Sequence, residues 1–79
     1  MPRKKKPETA EAIKLGNLCT AAALTVMREA PTEDSRPVCV VNAGTALLAT
    51  ETETGPTAVW YRVLFGEIAG WVPEYLLRR

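Results

Sequence analysis

The side chains best suited to molecular recognition are concentrated in one short stretch of the chain. All five aromatic residues fall within sixteen positions, namely Trp60, Tyr61, Phe65, Trp71 and Tyr75. Aromatic side chains bury large areas and dominate both hydrophobic cores and binding surfaces. A chain of 79 residues has room for one small core. This stretch is therefore expected to supply that core, a recognition surface, or both.

The residue types that catalysis and metal binding need are sparse. The chain has no histidine, the commonest general base and metal ligand. Its carboxylates stand in turn-like or exposed contexts, and no nucleophile–base pair accompanies them. Cys19 and Cys39 cannot complete a four-ligand zinc site, and we expect small buried thiols, with a disulfide as the alternative. The sequence therefore predicts a non-enzymatic protein without metal or cofactor.

Period-two alternation sorts the first three aromatic residues onto two faces of a strand. One face is uniformly apolar and is expected to be core, namely Val59, Tyr61, Val63 and Phe65. Trp60 shares the opposite face with Arg62, so we expect it to be half-exposed. The alternative for Trp60 is that it merely covers one end of the core.

Turn-forming residues divide the chain into segments of five to eight residues, the usual strand length. These segments are residues 14–19, 23–27, 37–41, 45–51, 58–65 and 68–72. Five or six short strands bury their inner faces with least exposed edge in a small closed barrel. The Thr–Glu patch 50–54 precedes Gly55-Pro56, so it is expected to be a solvated hairpin loop, with an acidic ligand-binding loop as the alternative.

The formal charge of +1 conceals an uneven distribution. Arg3, Lys4, Lys5 and Lys6 place +4 in the first six residues, and residues 7–79 contain six basic and nine acidic residues, a net charge of −3. Residues 1–12 are predicted to be a flexible basic arm and residues 13–79 the folded domain. Because the negative domain would repel a polyanion, nucleic-acid binding is expected from the arm alone.

The longest apolar runs are far shorter than the roughly 20 residues that a membrane-spanning helix needs. Residues 7–18 offer no apolar segment of the kind that a signal peptide contains. On these grounds we expect no membrane contact and a cytoplasmic location.

Two motifs follow one another in the C-terminal half, Val59-Trp60-Tyr61-Arg62-Val63 and, after Gly66, Gly70-Trp71-Val72-Pro73-Glu74-Tyr75-Leu76. Together they resemble the closing half of bacterial Src-homology-3 (SH3b) domains, which reads Trp-Tyr-Lys-Val, a glycine turn, then Gly-Trp-Val and a helical turn with Tyr-Leu. Earlier, Arg28-Glu29-Ala30-Pro31 and Val38–Val41 with Gly44-Thr45 fit the family more loosely. The resemblance implies an all-β SH3-like barrel of five to six antiparallel strands, with a short helical turn near the C-terminus.

Two departures from the family pattern leave alternatives open. The segment from Leu24 to Arg28 is one residue longer than usual, so either Leu24 and Val26 or Thr25 and Met27 face inward, and a bulge would reconcile them. The tyrosine after Gly70-Trp71-Val72 comes one position early, so either Tyr75 or Leu76 takes the family's tyrosine position.

The resemblance implies binding without catalysis, through a groove made by Trp60, Pro73 and Tyr75. Trp71 is expected to be partly buried and to add to the core or to that surface. Acidic Glu51, Glu53 and Glu74 are expected to steer cationic ligands.

The function predicted from the sequence is that of an interaction module for a peptide or a protein partner, of bacterial or phage origin. The alternatives are a domain that binds cell-wall peptidoglycan peptides and a small nucleic-acid-binding barrel that uses its basic arm. An exposed strand edge near Pro37–Val41 makes a monomer or a weak homodimer the expected assembly.

Overall fold

The computed structural model describes residues 13–79, so the predicted arm, residues 1–12, lies outside the described residues. The described part consists of seven short strands and one 3-10 turn. The strands are β1 (Leu18–Ala21), β2 (Thr25–Arg28), β3 (Pro37–Val41), β4 (Ala46–Thr54), β5 (Val59–Phe65), β6 (Ile68–Pro73) and β7 (Leu77–Arg78). The 3-10 turn covers Glu74–Leu76, between β6 and β7. The all-β prediction, with its helical turn near the C-terminus, is confirmed.

All seven strands belong to one curled antiparallel sheet in the order β3-β2-β6-β5-β4-β1-β7. The β4–β5–β6 ladder is the longest part of the sheet and runs from Thr54, opposite Val59, to the hairpin in which Phe65 faces Ile68, with a register shift between Ala49 and Glu51 of β4. Gly66 turns this hairpin with a φ of 62°, a conformation that L side chains rarely adopt. The curled sheet agrees with the barrel that the resemblance implies.

β2 and β6 come very close where the two strands pair, at Arg28 and Trp71. A Cβ atom placed on Gly70 would stand 2.8 Å from the Cβ atom of Met27, closer than real side chains approach. Glycine is therefore required at position 70 for the two strands to approach this closely.

The burial pattern of β2 shows which of its residues face the core. Thr25 and Met27 face inward, and Val26 is half-buried on the other side. Thr25 satisfies its buried hydroxyl by donating to the carbonyl oxygen of Ala23 at 2.7 Å. The register between β2 and β3 shifts at Met27–Arg28, where Val38 is the additional residue. This bulge lies in β3, so it is not the one expected within Leu24–Arg28 to accommodate the extra residue there.

The core lies inside the curled sheet and draws side chains from every strand. Its most deeply buried members include Met27, Leu47, Val63 and Val72, each with 0% exposure. Val63 and Tyr61 confirm the predicted inner face of β5, and Val59 packs against the core while half-buried. Phe65 is 42% exposed, so its assignment to the core is wrong. It stands at the hairpin tip, beyond the enclosed part of the sheet.

Two boundaries, the start of β1 and the end of β4, differ from the sequence prediction by more than two residues. The strand expected over residues 14–19 begins only at Leu18, because Lys14–Asn17 form a turn in which Gly16 has a φ of 86°. The hairpin loop expected over residues 50–54 is wrong, because β4 continues to Thr54 and the turn follows at residues 55–58. Threonine favours strands, and pairing with β5 supplies the backbone hydrogen bonds of this exposed segment.

Both cysteines are free thiols. Cys19 is buried, and that burial raises the pKa of its thiol. Cys39 is half-buried, with its Sγ atom 3.3 Å from the Sδ atom of Met27. Strand β3, which carries Cys39, pairs with β2 alone and leaves Val38 and Val40 exposed at the edge of the sheet. The expected edge is present, and the oligomeric state stays a prediction.

No helix within residues 13–79 is long and apolar enough to cross a membrane.

Candidate functional site

Two cavities open on either side of Trp60. The first, of about 380 Å³, is lined by Pro31, Thr32, Glu33, Asp34, Pro56, Thr57 and Trp60. The second, of about 320 Å³, is lined by Leu24, Val26, Arg28, Glu33, Trp60, Pro73, Tyr75 and Leu76. Trp60 and Glu33 line both cavities, so the two lie side by side, and we call them together the Trp60 groove.

Three parts of the fold bring the groove residues together. Trp60 stands on β5, directly opposite Pro73 of β6 and Glu53 of β4, so these side chains share the outer face of the ladder. The loop of residues 29–36, between β2 and β3, supplies Glu33 and neighbouring groups of the first cavity. The 3-10 turn supplies Tyr75 to the second cavity. Trp60, Pro73 and Tyr75 thus meet at one groove, as the resemblance implied.

Trp60 is 3% exposed, so the expectation that it is half-exposed is wrong. The turn of residues 55–58 folds over one edge of the indole, since a Cβ atom on Gly55 would lie 3.5 Å from its Cδ1 and Nε1 atoms. Trp60 therefore acts as the partition between the two cavities and does not form an open apolar wall.

The loop of residues 29–36 is held by its own hydrogen bonds. The hydroxyl of Ser35 lies 2.9 Å from the carbonyl oxygen of Thr32 and 3.0 Å from that of Ala30. Arg28 Nη1 donates to the carbonyl oxygen of Ser35 at 2.9 Å, and the N–H of Glu29 donates to that of Arg36 at 2.9 Å. This network fixes the shape of the loop that carries the acidic groups of the groove.

One hydrogen bond joins the two walls of the second cavity. The hydroxyl of Tyr75 donates to Glu33 Oε2 at 3.1 Å, which connects the 3-10 turn to the loop. This hydrogen bond to a carboxylate raises the pKa of Tyr75. Tyr75 is 63% exposed, so the bridge lies at the surface, where an arriving ligand meets it.

The charge of the groove is mainly negative. Glu33 and Asp34 line the first cavity, and the exposed Glu53 stands beside Trp60 on the outer face of the ladder. Among the described residues, Arg28 is the one base that lines either cavity. Its guanidinium already donates a hydrogen bond to the carbonyl oxygen of Ser35. A cationic ligand therefore complements this surface better than an anionic one.

Trp71 lies next to the groove and lines neither cavity. It is half-buried, which confirms the expected partial burial, and its strand register places it opposite both Arg28 and Arg62. Arg62 in turn forms an ion pair with Glu51 at 3.6 Å. Glu51 therefore belongs to this neighbouring row of the outer face, while Glu53 is the acidic residue of β4 that stands beside Trp60.

Glu74 is directed toward the core side of the 3-10 turn. Tyr61 donates its hydroxyl to Glu74 Oε2 at 3.5 Å. Burial raises the pKa of Tyr61, and the negative charge of Glu74 raises it further. The structure therefore separates the three acidic residues that the sequence grouped, and the basic residues Arg3, Lys4, Lys5 and Lys6 lie outside the described residues.

Sequence reasoning missed the acidic side of the groove. Glu33 and Asp34 belong to the stretch from Ala30 to Pro37, which the turn residues mark as a loop. Two adjacent acids in the longest loop of a small barrel are the signal that could have identified them, since binding residues concentrate on loops.

No three Cys, Asp or Glu side chains within residues 13–79 are grouped in a way that could hold a metal ion. The groove offers proline and indole surface for apolar contact and carboxylates at its rim. Such a surface can hold an extended chain by contact and charge.

A family model for the bacterial SH3 domain matches residues 23–78, which contain β2 to β7 and every groove residue. No curated protein matches the chain, and neither does any solved structure. The match covers well over half of the 79 residues and agrees with the curled seven-stranded sheet. The chain therefore belongs to the bacterial SH3 domain family, whose members are generally binding modules without catalysis.

Proposed function

We propose that the protein binds an extended, cationic peptide segment of a partner protein in the Trp60 groove. The observation that carries the proposal is the meeting of two cavities at Trp60 and Glu33, with apolar walls and an acidic rim. Family membership supports a binding role, and the geometry of the groove narrows that role to a class of ligand.

The shape of the groove favours an extended chain. Pro31 and Pro56 wall the first cavity and Pro73 the second, so both ends offer rigid apolar surface. A peptide in extended or polyproline conformation keeps its backbone polar groups in water while its side chains contact such surface. A ligand that fills both cavities must pass Glu33, because this residue lines each of them.

A ligand that extends past Glu33 would break the hydrogen bond that bridges Tyr75 and Glu33. A lysine or arginine side chain competes with the Tyr75 hydroxyl for the Glu33 carboxylate, and its positive charge adds an ionic attraction that the neutral hydroxyl lacks. Opening of this bridge frees the Glu33 carboxylate, which lines both cavities, to contact the ligand. The bridge therefore favours ligands that bring a positive charge to Glu33.

The test uses the full chain and an array of short synthetic peptides that differ in net charge and proline content. We expect cationic peptides to bind, and the double variant Glu33→Gln, Asp34→Asn to weaken that binding by about threefold to tenfold, because it removes two rim charges. Glu67→Gln, in the turn of the distant β5–β6 hairpin, is the matched control. Equal weakening by both variants, or no preference for cationic peptides, would contradict the proposal.

Family membership also favours a second ligand, the peptide part of bacterial cell wall, because related grooves of many members bind it. Retention of the full chain on purified peptidoglycan, reduced by the same double variant and not by Glu67→Gln, is the result expected for this alternative. Retention that both variants leave intact would place wall binding outside the groove.

A further inference from the structure

We propose that the basic segment of the chain, Arg3 to Lys6, docks in cis on the acidic rim of the Trp60 groove and competes there with external ligands. This inference rests on the proposed function, since it names a competitor for the same groove. It begins from the charge split of the sequence, in which four of the ten basic residues fall within residues 3–6.

The folded part supplies the complementary charge. Residues 13–79 contain six basic and seven acidic residues, so their net charge is close to neutral at −1. Three of those seven acids, Glu33, Asp34 and Glu53, stand at the groove, against the single base Arg28 among the described lining residues. The groove is therefore more negative than the described part of the chain as a whole, and it is the surface that best matches a segment of charge +4.

The position where the segment joins the fold brings it close to the groove. Ile13 is buried in the core, and its backbone is a hydrogen-bond partner of the Tyr61 phenol. The same phenol donates to Glu74, the residue that precedes Tyr75. The chain thus enters the described structure beside the 3-10 turn, which forms one wall of the second cavity.

The distance to be covered is short. From the 3-10 turn, the side chain of Tyr75 alone reaches Glu33, so the acidic rim lies about one tyrosine length from that wall. The six residues between Lys6 and Ile13 make seven Cα–Cα steps, which span up to about 25 Å when extended. Such a tether permits the basic segment to contact Glu33 and Asp34 without any change in the folded part.

The segment is covalently attached to the chain that carries the groove, so it has an advantage over the same segment of a second copy. A covalent link of this length gives the tethered segment an effective concentration on the order of millimolar, well above the protein concentration of an ordinary experiment. Each contact of this kind is weak and screened by salt, so the docked segment remains displaceable. Docking in cis therefore lowers the apparent affinity for an external cationic ligand and raises the charge that such a ligand needs.

The test compares the full chain with the fourfold variant Arg3→Gln, Lys4→Gln, Lys5→Gln, Lys6→Gln by NMR. We expect the backbone signals of Glu33 and Asp34 and the indole signal of Trp60 to shift, while those of Leu18 and Phe65 stay in place. Addition of a synthetic peptide of residues 1–12 to the variant should move the same signals back. The variant Arg78→Gln, Arg79→Gln is the matched control, since it removes basic charge elsewhere and should leave the groove signals unchanged.

Binding of a cationic peptide selected on the array completes the test. If the segment occupies the groove for half to nine-tenths of the time, the fourfold variant binds this peptide about twofold to tenfold more tightly than the unaltered chain. Equal affinities together with unshifted groove signals overturn the inference and leave the proposed function intact. Shifts that grow with protein concentration also overturn it, because they show docking between copies.

If neither protein binds any cationic peptide, the proposed function fails and the inference fails with it. The two failures are therefore distinguishable in one set of titrations.

Discussion

The inner and outer sides of the β4–β5–β6 ladder are built from the same strands and have different tasks. Leu47, Val63 and Val72 point inward and are fully buried, whereas Leu48, Arg62 and Trp71 point outward and are half-buried. The inner side holds the sheet closed, and the outer side carries charges, aromatic surface and the groove. The residues that stabilise the fold and those of the proposed binding surface thus alternate along one ladder.

Trp60 breaks this division, because it belongs to the outer side and is as buried as the core. It lies opposite Pro73 and is covered at one edge by the turn of residues 55–58, yet it is separate from the main hydrophobic cluster. The outer side therefore contains one residue on which the stability of the fold and the proposed recognition are both expected to depend. The predictions below test how far the division holds, and Trp60 is expected to show the largest effect.

Trp60→Ala should destabilise the fold by about 3–5 kcal/mol, since it removes a buried indole and leaves a cavity. A domain of this size has only about 5 kcal/mol of stability to lose, so much of the variant should be unfolded at room temperature. The measurement is urea unfolding followed by circular dichroism.

Trp71→Ala is the comparison within the same sheet, because Trp71 is half-buried on the same outer face. The loss of unfolding free energy should be clearly smaller for Trp71→Ala than for Trp60→Ala. A larger cost for Trp71→Ala would show that burial does not decide the stability of the outer side. Loss of ligand binding in Trp60→Ala is uninformative on its own if the variant is unfolded, which is why the groove is tested through Glu33 and Asp34.

Leu47→Ala and Leu48→Ala test the division with the same substitution at adjacent positions. Leu47 is 0% exposed on the inner side of β4, so its truncation should cost about 2–5 kcal/mol. Leu48 is half-buried on the outer side, and its truncation should cost less than about 1 kcal/mol. Urea unfolding measures the loss of stability in both variants, provided that their m-values are equal. Similar midpoints for the two variants would contradict the assignment of Leu47 to the inner side and Leu48 to the outer side.

Much of the inner side could be predicted from the sequence, because alternation is a local property. The bounds of β3 and the inward positions of Tyr61 and Val63 follow from residue types within a few positions of each other. Phe65 is the exception, because alternation assigns a face and does not tell where along the strand the core ends.

The outer side could be predicted only in part, because the groove depends on contacts between distant segments. Trp60, Pro73 and Tyr75 were identified through the family resemblance, and the structure brings them together. The burial of Trp60 and the contribution of Glu33 arise from loops whose paths no local pattern specifies. Residues 50–54 show the same difficulty, since pairing with β5 makes a strand of a segment that looks like a loop.

The two tyrosines allow the inner and outer sides to be compared through the pH dependence of stability. Tyr61 is buried on the inner side, where burial and Glu74 raise its pKa, and Tyr75 is exposed on the outer side, where its hydrogen bond to Glu33 raises its pKa. A pKa raised by folding means that the protonated phenol stabilises the fold. That contribution is complete below the ordinary value of about 10 and is lost as pH rises through the folded-state pKa.

Stability should therefore fall above about pH 10, and Tyr61→Phe should reduce the steepness of that fall because it removes the buried ionisable phenol. Tyr75→Phe should change it less, since solvent screens an exposed hydroxyl, and its effect should instead appear as altered ligand affinity at neutral pH. Urea midpoints measured at experimental pH settings from 8 to 11 give the steepness of the alkaline fall for each variant. If Tyr75→Phe flattens the alkaline fall more than Tyr61→Phe does, the bridge to Glu33 contributes more to stability than to recognition, and the division between the two sides does not hold at the groove.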